Sequence, residues 1–218
     1  MIYSTRMLTK LNADKALIFR IIHRDNLPWI LANGLFCRNA DTCDPNYRAI
    51  GNAELIVKRH FRSVPLPPGG ELSNYIPFYF TPFSPMMYNI KTGRGVPHVP
   101  NQEIVILVSS LHKLVADDIT FVFSDRHAYL QSAVYYNDIN DLDKIDWLPL
   151  QRKDFKRDPD DPEKMERYQA EALIHDHLPV SSLLGAVCYT NSLAEEIRHS
   201  TANQGLTLKV VNQPGWYF

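Results

Sequence analysis

An α+β fold with a mixed or mostly antiparallel sheet is what this sequence predicts, and three observations carry the expectation. Segments rich in β-branched and aromatic residues are interspersed with helical patterns, without the regular alternation of a doubly wound parallel sheet. The chain has 218 residues, 45% apolar and 22% charged, which is enough to bury a sizeable core and fits one domain over 1–218. No repeat or low-complexity segment interrupts it, so the solenoid classes drop out.

The elements follow in order. Ala16 to Ile22 is short and β-rich and reads as a strand. It feeds a helix after Asp25 and Asn26, either able to cap it. Pro28 is tolerated in the first turn, Leu27, Ile30 and Leu31 keep the three-to-four spacing, and Gly34 stops the helix. A second helix covers Ala53 to His60. Residues 64–70 are too rich in proline and glycine for an element interior. They lead into an aromatic strand, Tyr75 to Phe80, whose Pro77 marks it as an edge strand or a strand start. Gln102 to Ser109 contains Ile104 to Val108, a run suited to a strand buried on both faces. Thr120 to Ser124 is another short strand.

Asp138, Asp141, Asp143 and Asp146 mark an acidic stretch. Arg152 to Arg167 holds six basic and six acidic residues. It reads as a solvated loop and helix start, with Asp161 as cap and Pro162 at the first position. Gly185 to Tyr189 predicts a strand, Leu193 to His199 a helix, and Leu206 to Val211 a last strand before Trp216, Tyr217 and Phe218.

Composition narrows the function. With 23 Lys+Arg against 24 Asp+Glu, the net charge of −1 excludes a protein that grips nucleic acid through a global basic field. A local basic site stays open. Cys37, Cys43 and Cys188 form no CxxC and cannot all pair, which favours a reducing compartment. Met1 to Lys10 lacks the apolar core of a leader, and no apolar run approaches the roughly 18–20 residues of a membrane span. A soluble cytoplasmic protein is expected. GxGxxG, the Walker loop, HExxH and GxSxG are all missing. His175 and His177 would share one strand face, but no third ligand stands at a recognisable spacing, so no metal is expected. Cys188 reads as a small buried residue rather than a nucleophile.

Three stretches carry chemical interest. The first, Phe19 to Leu27, is a polar cluster at a strand-to-helix junction, where Arg20 could reach a ligand or simply decorate a capped helix. The second spans 47–63 and is the most basic of the chain, with Arg48, Lys58, Arg59 and Arg62 opposed only by Glu54. Its aromatics Tyr47 and Phe61 suit a phosphate-bearing or single-stranded nucleic-acid ligand, although a solvated helix face would also account for it. The third, Tyr168 to Ile174, sets Glu171 where a charged helix gives way to an apolar run. That boundary predicts a half-buried, positioned carboxylate.

Together these stretches resemble the DarT family of DNA ADP-ribosyltransferase toxins, over nearly the whole chain. The resemblance lies in RIIHRDNLPWIL (20–31), LIVKRH (55–60), VPLPPGGELSNYIPFYFTPFSPMMY (64–88), FVFSDRHAY (121–129), RYQAEALI (167–174) and the closing GWYF. It implies a split β-sheet with NAD in the cleft, transfer of ADP-ribose from NAD to thymidine in single-stranded DNA, and a macrodomain antitoxin, DarG, that removes it. Glu171 falls on the family's catalytic glutamate and Arg59 on its catalytic arginine. Arg20, Ile21 and Ile22 fall on the NAD-holding segment, with Arg20 where some relatives carry histidine. Tyr79 and Met86 would line the pocket, His127 would lie in the loop facing the target base, and Lys58 and Arg62 would contact DNA beside Arg59.

The chemistry suits those residues. Breaking the bond from ribose C1′ to a cationic nicotinamide passes through an oxocarbenium-like state, which a close carboxylate stabilises. Glu171 fits that need. If the acceptor is thymine N3, its proton must leave, and a guanidinium is a poor base. Arg59 is better read as stabilising the imide anion or clamping phosphate, with the base unassigned. A base edge engaged in pairing cannot reach a buried C1′, hence single-stranded DNA. The alternatives are the same transfer to a protein or RNA acceptor, and a non-enzymatic single-stranded nucleic-acid-binding module. A metal-dependent nuclease lacks a ligand cluster.

Overall fold

The computed structural model describes residues 8–218. Residues 1–7 of the stretch read above for a leader lie outside them. Among the described residues ten strands form: β1 (Leu17–His23), β2 (Leu35–Phe36), β3 (Tyr75–Tyr79), β4 (Ile104–Ser110), β5 (Phe121–Ser124), β6 (Tyr135–Tyr136), β7 (Glu171–His175), β8 (His177–Leu178), β9 (Gly185–Cys188) and β10 (Lys209–Asn212). Seven α-helices with both ends among the described residues accompany them: α1 (Leu27–Asn33), α2 (Ala53–Arg59), α3 (Pro85–Thr92), α4 (Leu111–Ala116), α5 (Trp147–Arg152), α6 (Lys164–Arg167) and α7 (Asn191–Asn203). The main sheet runs β10-β9-β4-β1-β3-β7-β5-β6, and β2 with β8 makes a small second sheet. Its pairs are antiparallel except β9 with β10, which are parallel. The α+β expectation holds.

The sheet is split at its middle. β1 pairs with β4 along its whole length, Leu17 opposite Ser110 through His23 opposite Ile104. Toward β3 it pairs at a single position, Phe19 opposite Tyr79. Pro77 explains the gap. Its carbonyl faces β1, where it accepts from Arg20 Nη1 at 2.8 Å. In an extended strand the nitrogen of the same residue faces the same way, and proline has no N–H to offer there. β3 is therefore an interior strand rather than the edge or strand start that Pro77 suggested. Its proline faces the one seam where the ladder is missing.

Burial elsewhere follows side-chain chemistry. Every residue of β4 is buried, as its unbroken apolar run requires. Cys188 is fully buried on β9, and burial pushes its thiol up to about 11, so it packs as a small apolar group. Gly34 ends α1 with φ of 83°, and a Cβ there would stand 2.5 Å from His177 Nε2, so only glycine fits.

Other expectations need correction. A 3₁₀ turn over Arg24–Asn26 precedes α1, and the His23 ring caps it. The Asn26 amide is spent instead on both backbone groups of Arg48, at 2.8 and 2.9 Å. The Arg152–Arg167 run is not simply solvated: Lys164 reaches Asp154 and Asp158, and Arg167 reaches Asp146 and Asp161. Asp161 is therefore an ion-pair partner, α6 starts at Lys164, and Pro162 lies outside it. Helix α7 extends the Leu193–His199 expectation at both ends, with Thr190 capping it. The last strand starts at Lys209 rather than Leu206.

The final aromatics tie the two halves together. Trp216 meets Phe19 edge-on at 5.7 Å, Phe218 meets Phe83 at 5.9 Å, and Lys153 sits over the rings of Phe83 and Phe218. The buried Tyr217 hydroxyl donates toward Ile104 O and Val187 O, at 3.0 and 2.8 Å. Replacing it by phenylalanine leaves those carbonyls without that donor. Tyr217→Phe is expected to cost about 1–3 kcal/mol, read as a lower urea midpoint at unchanged slope.

Candidate active site

Glu171 opens β7, opposite Tyr79 on β3 and Ser124 on β5. Only 1% of it is exposed, against the half-buried carboxylate the sequence suggested. The difference lies just upstream. α6 ends at Arg167, and the buried Tyr168 and Ala170 carry the chain into the core before the strand begins.

Arg59 is the last residue of α2, a helix started by Asn52, whose side chain accepts from Leu55 N–H at 2.8 Å. The two side chains meet as a bidentate fork, with Nη1 to Oε1 at 2.8 Å and Nη2 to Oε2 at 2.7 Å. Oε1 also accepts the Ala128 backbone N–H at 3.0 Å and lies 2.8 Å from His127 Nδ1. Two acceptors would repel at that distance, so the proton belongs on Nδ1, directed at the carboxylate. The longer contacts of Nδ1 with Arg59 and with Tyr129 N–H, both 3.4 Å, are then packing.

Burial alone would raise the pKa of Glu171. The charge of Arg59 and then the bond from His127 outweigh it and hold the carboxyl well below its ordinary range. Burial works against Arg59 too, but Glu171 keeps it raised. The Tyr79 hydroxyl is pushed up to about 12, first by burial and then by the Glu171 charge. The centre is thus one permanent ion pair with a neutral phenol beside it.

The loop carrying His127 and Ala128 is built to hold its shape. Tyr135 Oη donates to Ala128 O at 2.5 Å, Arg62 Nη2 to Leu130 O at 3.0 Å, and Val134 N–H to Asp125 Oδ1 at 3.0 Å.

A cavity of about 510 Å³ opens where β1 and β3 diverge, within the usual size of small-molecule sites. Arg20, Ile21, Arg59, Tyr79, Met86 and Glu171 all line it. Ile22 does not: its side chain is fully buried in the core. Lys58, Arg62 and His127 also lie outside the cavity lining. Lys58 pairs with Glu54 on the helix surface, and Arg62 borders a separate groove with Tyr129, Leu130 and Gln131. The 47–63 stretch is not a free cationic clamp, since Arg48, Lys58 and Arg59 each meet a carboxylate.

His175 and His177 do not share a face. Asp176, with φ of 58°, breaks the strand between them, and they belong to different sheets. His177 stacks on Phe36 and His175 meets Tyr75 edge-on. Among the described residues no group of three or more His, Cys, Asp or Glu is placed to hold a metal. Sequence reasoning missed Ala128 and Tyr135. The first acts through its backbone, and the second through a contact that only folding brings about.

A split mixed sheet with a cleft at the split, and a buried ion-paired glutamate in the cleft wall, agree with what the resemblance to the ADP-ribosyltransferases implies. Comparison with known proteins agrees. Residues 19–218 match the family model described as ssDNA thymidine ADP-ribosyltransferase, DarT. A DNA ADP-ribosyl transferase of Escherichia coli O127:H6 is 54% identical over 95% of this chain and 96% of its own. The structure of Thermus sp. 2.9 DarT in complex with ADP-ribosylated ssDNA superposes with a TM-score of 0.86 at 32% identity, covering 94% of this chain and 97% of that one. The same protein in complex with NAD+ gives 0.81 at 30% identity, covering 94% and 98%. The chain belongs to the DarT family.

Two outcomes follow from the buried pair. Arg59→Ala leaves a charge buried without its partner and is expected to cost about 3–5 kcal/mol in chemical denaturation. Because the Glu171 pKa falls on folding, its contribution is complete above the ordinary value of 4.5 and is lost as pH drops below that. The stability difference between wild type and Glu171→Gln should therefore be flat from pH 7 to 5 and shift against wild type on acidification to pH 3.

Proposed function

We propose that Arg59, His127 and Glu171 form the catalytic centre by which this chain transfers ADP-ribose from NAD to thymidine in single-stranded DNA, releasing nicotinamide. The bidentate Arg59–Glu171 pair, in the wall of a cavity that Arg20, Ile21, Tyr79 and Met86 also line, is the observation that carries this reading.

The bond from ribose C1′ to the nicotinamide nitrogen breaks, and its electrons leave with neutral nicotinamide. Glu171 is an anion at any physiological pH and stabilises the positive charge left on the ribose. A new bond joins C1′ to a thymine ring nitrogen, whose proton must go elsewhere. Each Nη of Arg59 gives one N–H to Glu171, so Arg59 fixes the carboxylate, and as a guanidinium it is a poor proton acceptor. His127 offers a better acceptor. Its Nδ1–H is held by Glu171, and Nε2 makes no hydrogen bond among the described residues, the orientation in which a carboxylate-anchored imidazole takes a proton. Arg20, with one guanidinium nitrogen on Pro77 O and a buried, unpartnered Nε, supplies a donor for NAD on the β1 side. Lys58 and Arg62, outside the cavity lining, remain on the face open to DNA.

Among the described residues no helix is long and apolar enough to cross a membrane. We read the protein as one catalytic unit working in the cytoplasm, where NAD and DNA meet. The family implies a toxin countered by a macrodomain antitoxin, DarG, and co-expression of such a macrodomain should relieve growth arrest.

The deciding experiment incubates the protein with NAD and oligonucleotides of defined sequence and weighs the products. One ADP-ribose should appear on single-stranded DNA containing thymine and not on thymine-free DNA. Glu171→Gln should lower the rate at least a hundredfold to a thousandfold. Label on RNA or protein alone would move the acceptor, and DNA binding without NAD consumption would leave only a binding module.

A further inference from the structure

Three guanidinium groups line the cavity: Arg20, Arg38 and Arg59. Arg59 is paired with Glu171, and Arg20 is part-buried with one nitrogen on Pro77 O. Arg38 differs from both. It is exposed, and its side chain makes no hydrogen bond or ion pair among the described residues. Its backbone is nonetheless clamped on both sides. Cys37 N–H donates to Asp176 O at 2.7 Å, while Asn39 donates from its N–H to Ser73 O at 3.1 Å and from its amide to Ser73 Oγ at 2.8 Å. The one cavity-lining carboxylate besides Glu171, that of Asp44, accepts from Asn46 N–H and makes no ion pair with Arg38.

Position adds to charge. Glu171 opens β7, and Asp176, on which the Arg38 segment is clamped, follows its last residue. Arg38 is therefore anchored at the other end of that strand from the carboxylate, roughly 15 Å along it. A donor whose reacting ribose sits at Glu171 must extend its remaining half away from it. The only phosphates of NAD lie in the bridge between its two halves.

We propose that Arg38 is a binding residue for the diphosphate of NAD. This rests on the reading of the cavity as the NAD site and adds the group that takes its negative charge. A planar guanidinium matches phosphate oxygens in a bidentate fork, and a fixed backbone with an unspent side chain lowers the ordering cost of making that contact. Arg20 and Glu171 then hold the reacting half of NAD, and Arg38 holds the bridge.

The test separates phosphate recognition from folding and from transfer. Equilibrium binding of ADP and of adenosine is measured on wild type, Arg38→Ala and Arg38→Lys, with KM and kcat for NAD alongside. Arg38→Ala should weaken ADP and raise KM about tenfold, lower kcat much less, and leave adenosine affinity unchanged. Arg38→Lys should recover part of the loss, because it restores the charge without the fork. An equal loss for adenosine and ADP, no loss for either, or no ADP binding by wild type overturns the proposal. So does weaker binding of an oligonucleotide without NAD at unchanged ADP affinity, which would assign Arg38 to a DNA phosphate. The ADP-to-adenosine comparison needs no transfer, whereas failure of the proposed function would appear as unlabelled oligonucleotides with wild type.

Discussion

The fork between Arg59 and Glu171 is the constraint around which the rest is arranged. Helix α2 has no buried residue of its own, so its last side chain, reaching the first residue of β7, is a main tie to the body of the protein. The same fork fixes the carboxylate in rotation, and the Ala128 N–H and His127 add two more contacts on Oε1. A buried carboxylate held by a guanidinium fork and two further donors cannot drift or take a proton under ordinary conditions. That steadiness suits a group whose task is to present negative charge to a cation that exists only briefly. The surrounding loop is a consequence: Tyr135 holds the Ala128 peptide, and Arg62 holds the Leu130 carbonyl.

The second organising fact is the seam between β1 and β3. Removing one donor, at Pro77, leaves two well-paired half-sheets meeting at Phe19 and Tyr79. The cavity lies in that seam and takes one wall from each half, Arg20 and Ile21 from β1 and Ile76, Pro77 and Tyr79 from β3. The aromatic closing segment spans the same division, with Trp216 on Phe19 and Phe218 on Phe83. A split sheet needs such a bridge, because a single ladder position cannot hold two halves at a fixed angle.

The sequence made some of this legible and hid the rest for physical reasons. Strands β4 and β9 were readable because buried strands demand unbroken apolar runs, whereas β7 showed only as an apolar run after Glu171. Glu171 stood out because a carboxylate at the start of such a run is unusual, yet its burial could not be seen, since Arg59 lies 112 positions away. Pro77 was readable as a break in pairing but not as a break inside the sheet, because one-sided loss of a donor looks the same at an edge. The charged 152–167 segment looked solvated because its ion pairs reach back to Asp146 and across its own turns. The histidines 175 and 177 looked like a pair because the left-handed turn at Asp176 leaves no mark in spacing.

Strand β7 sits between β3 and β5, both of which precede it in the chain, and it brings Glu171 with it. During synthesis the earlier strands emerge first and must leave room for a strand that arrives nearly a hundred residues after β3 began. Until β7 inserts, β3 and β5 have no strand between them and the carboxylate is absent. A nascent or truncated chain ending before residue 171 can therefore carry the basic helix and most of the cavity wall and still be inert. The joining of β3 to β5 and the arrival of the carboxylate are one event.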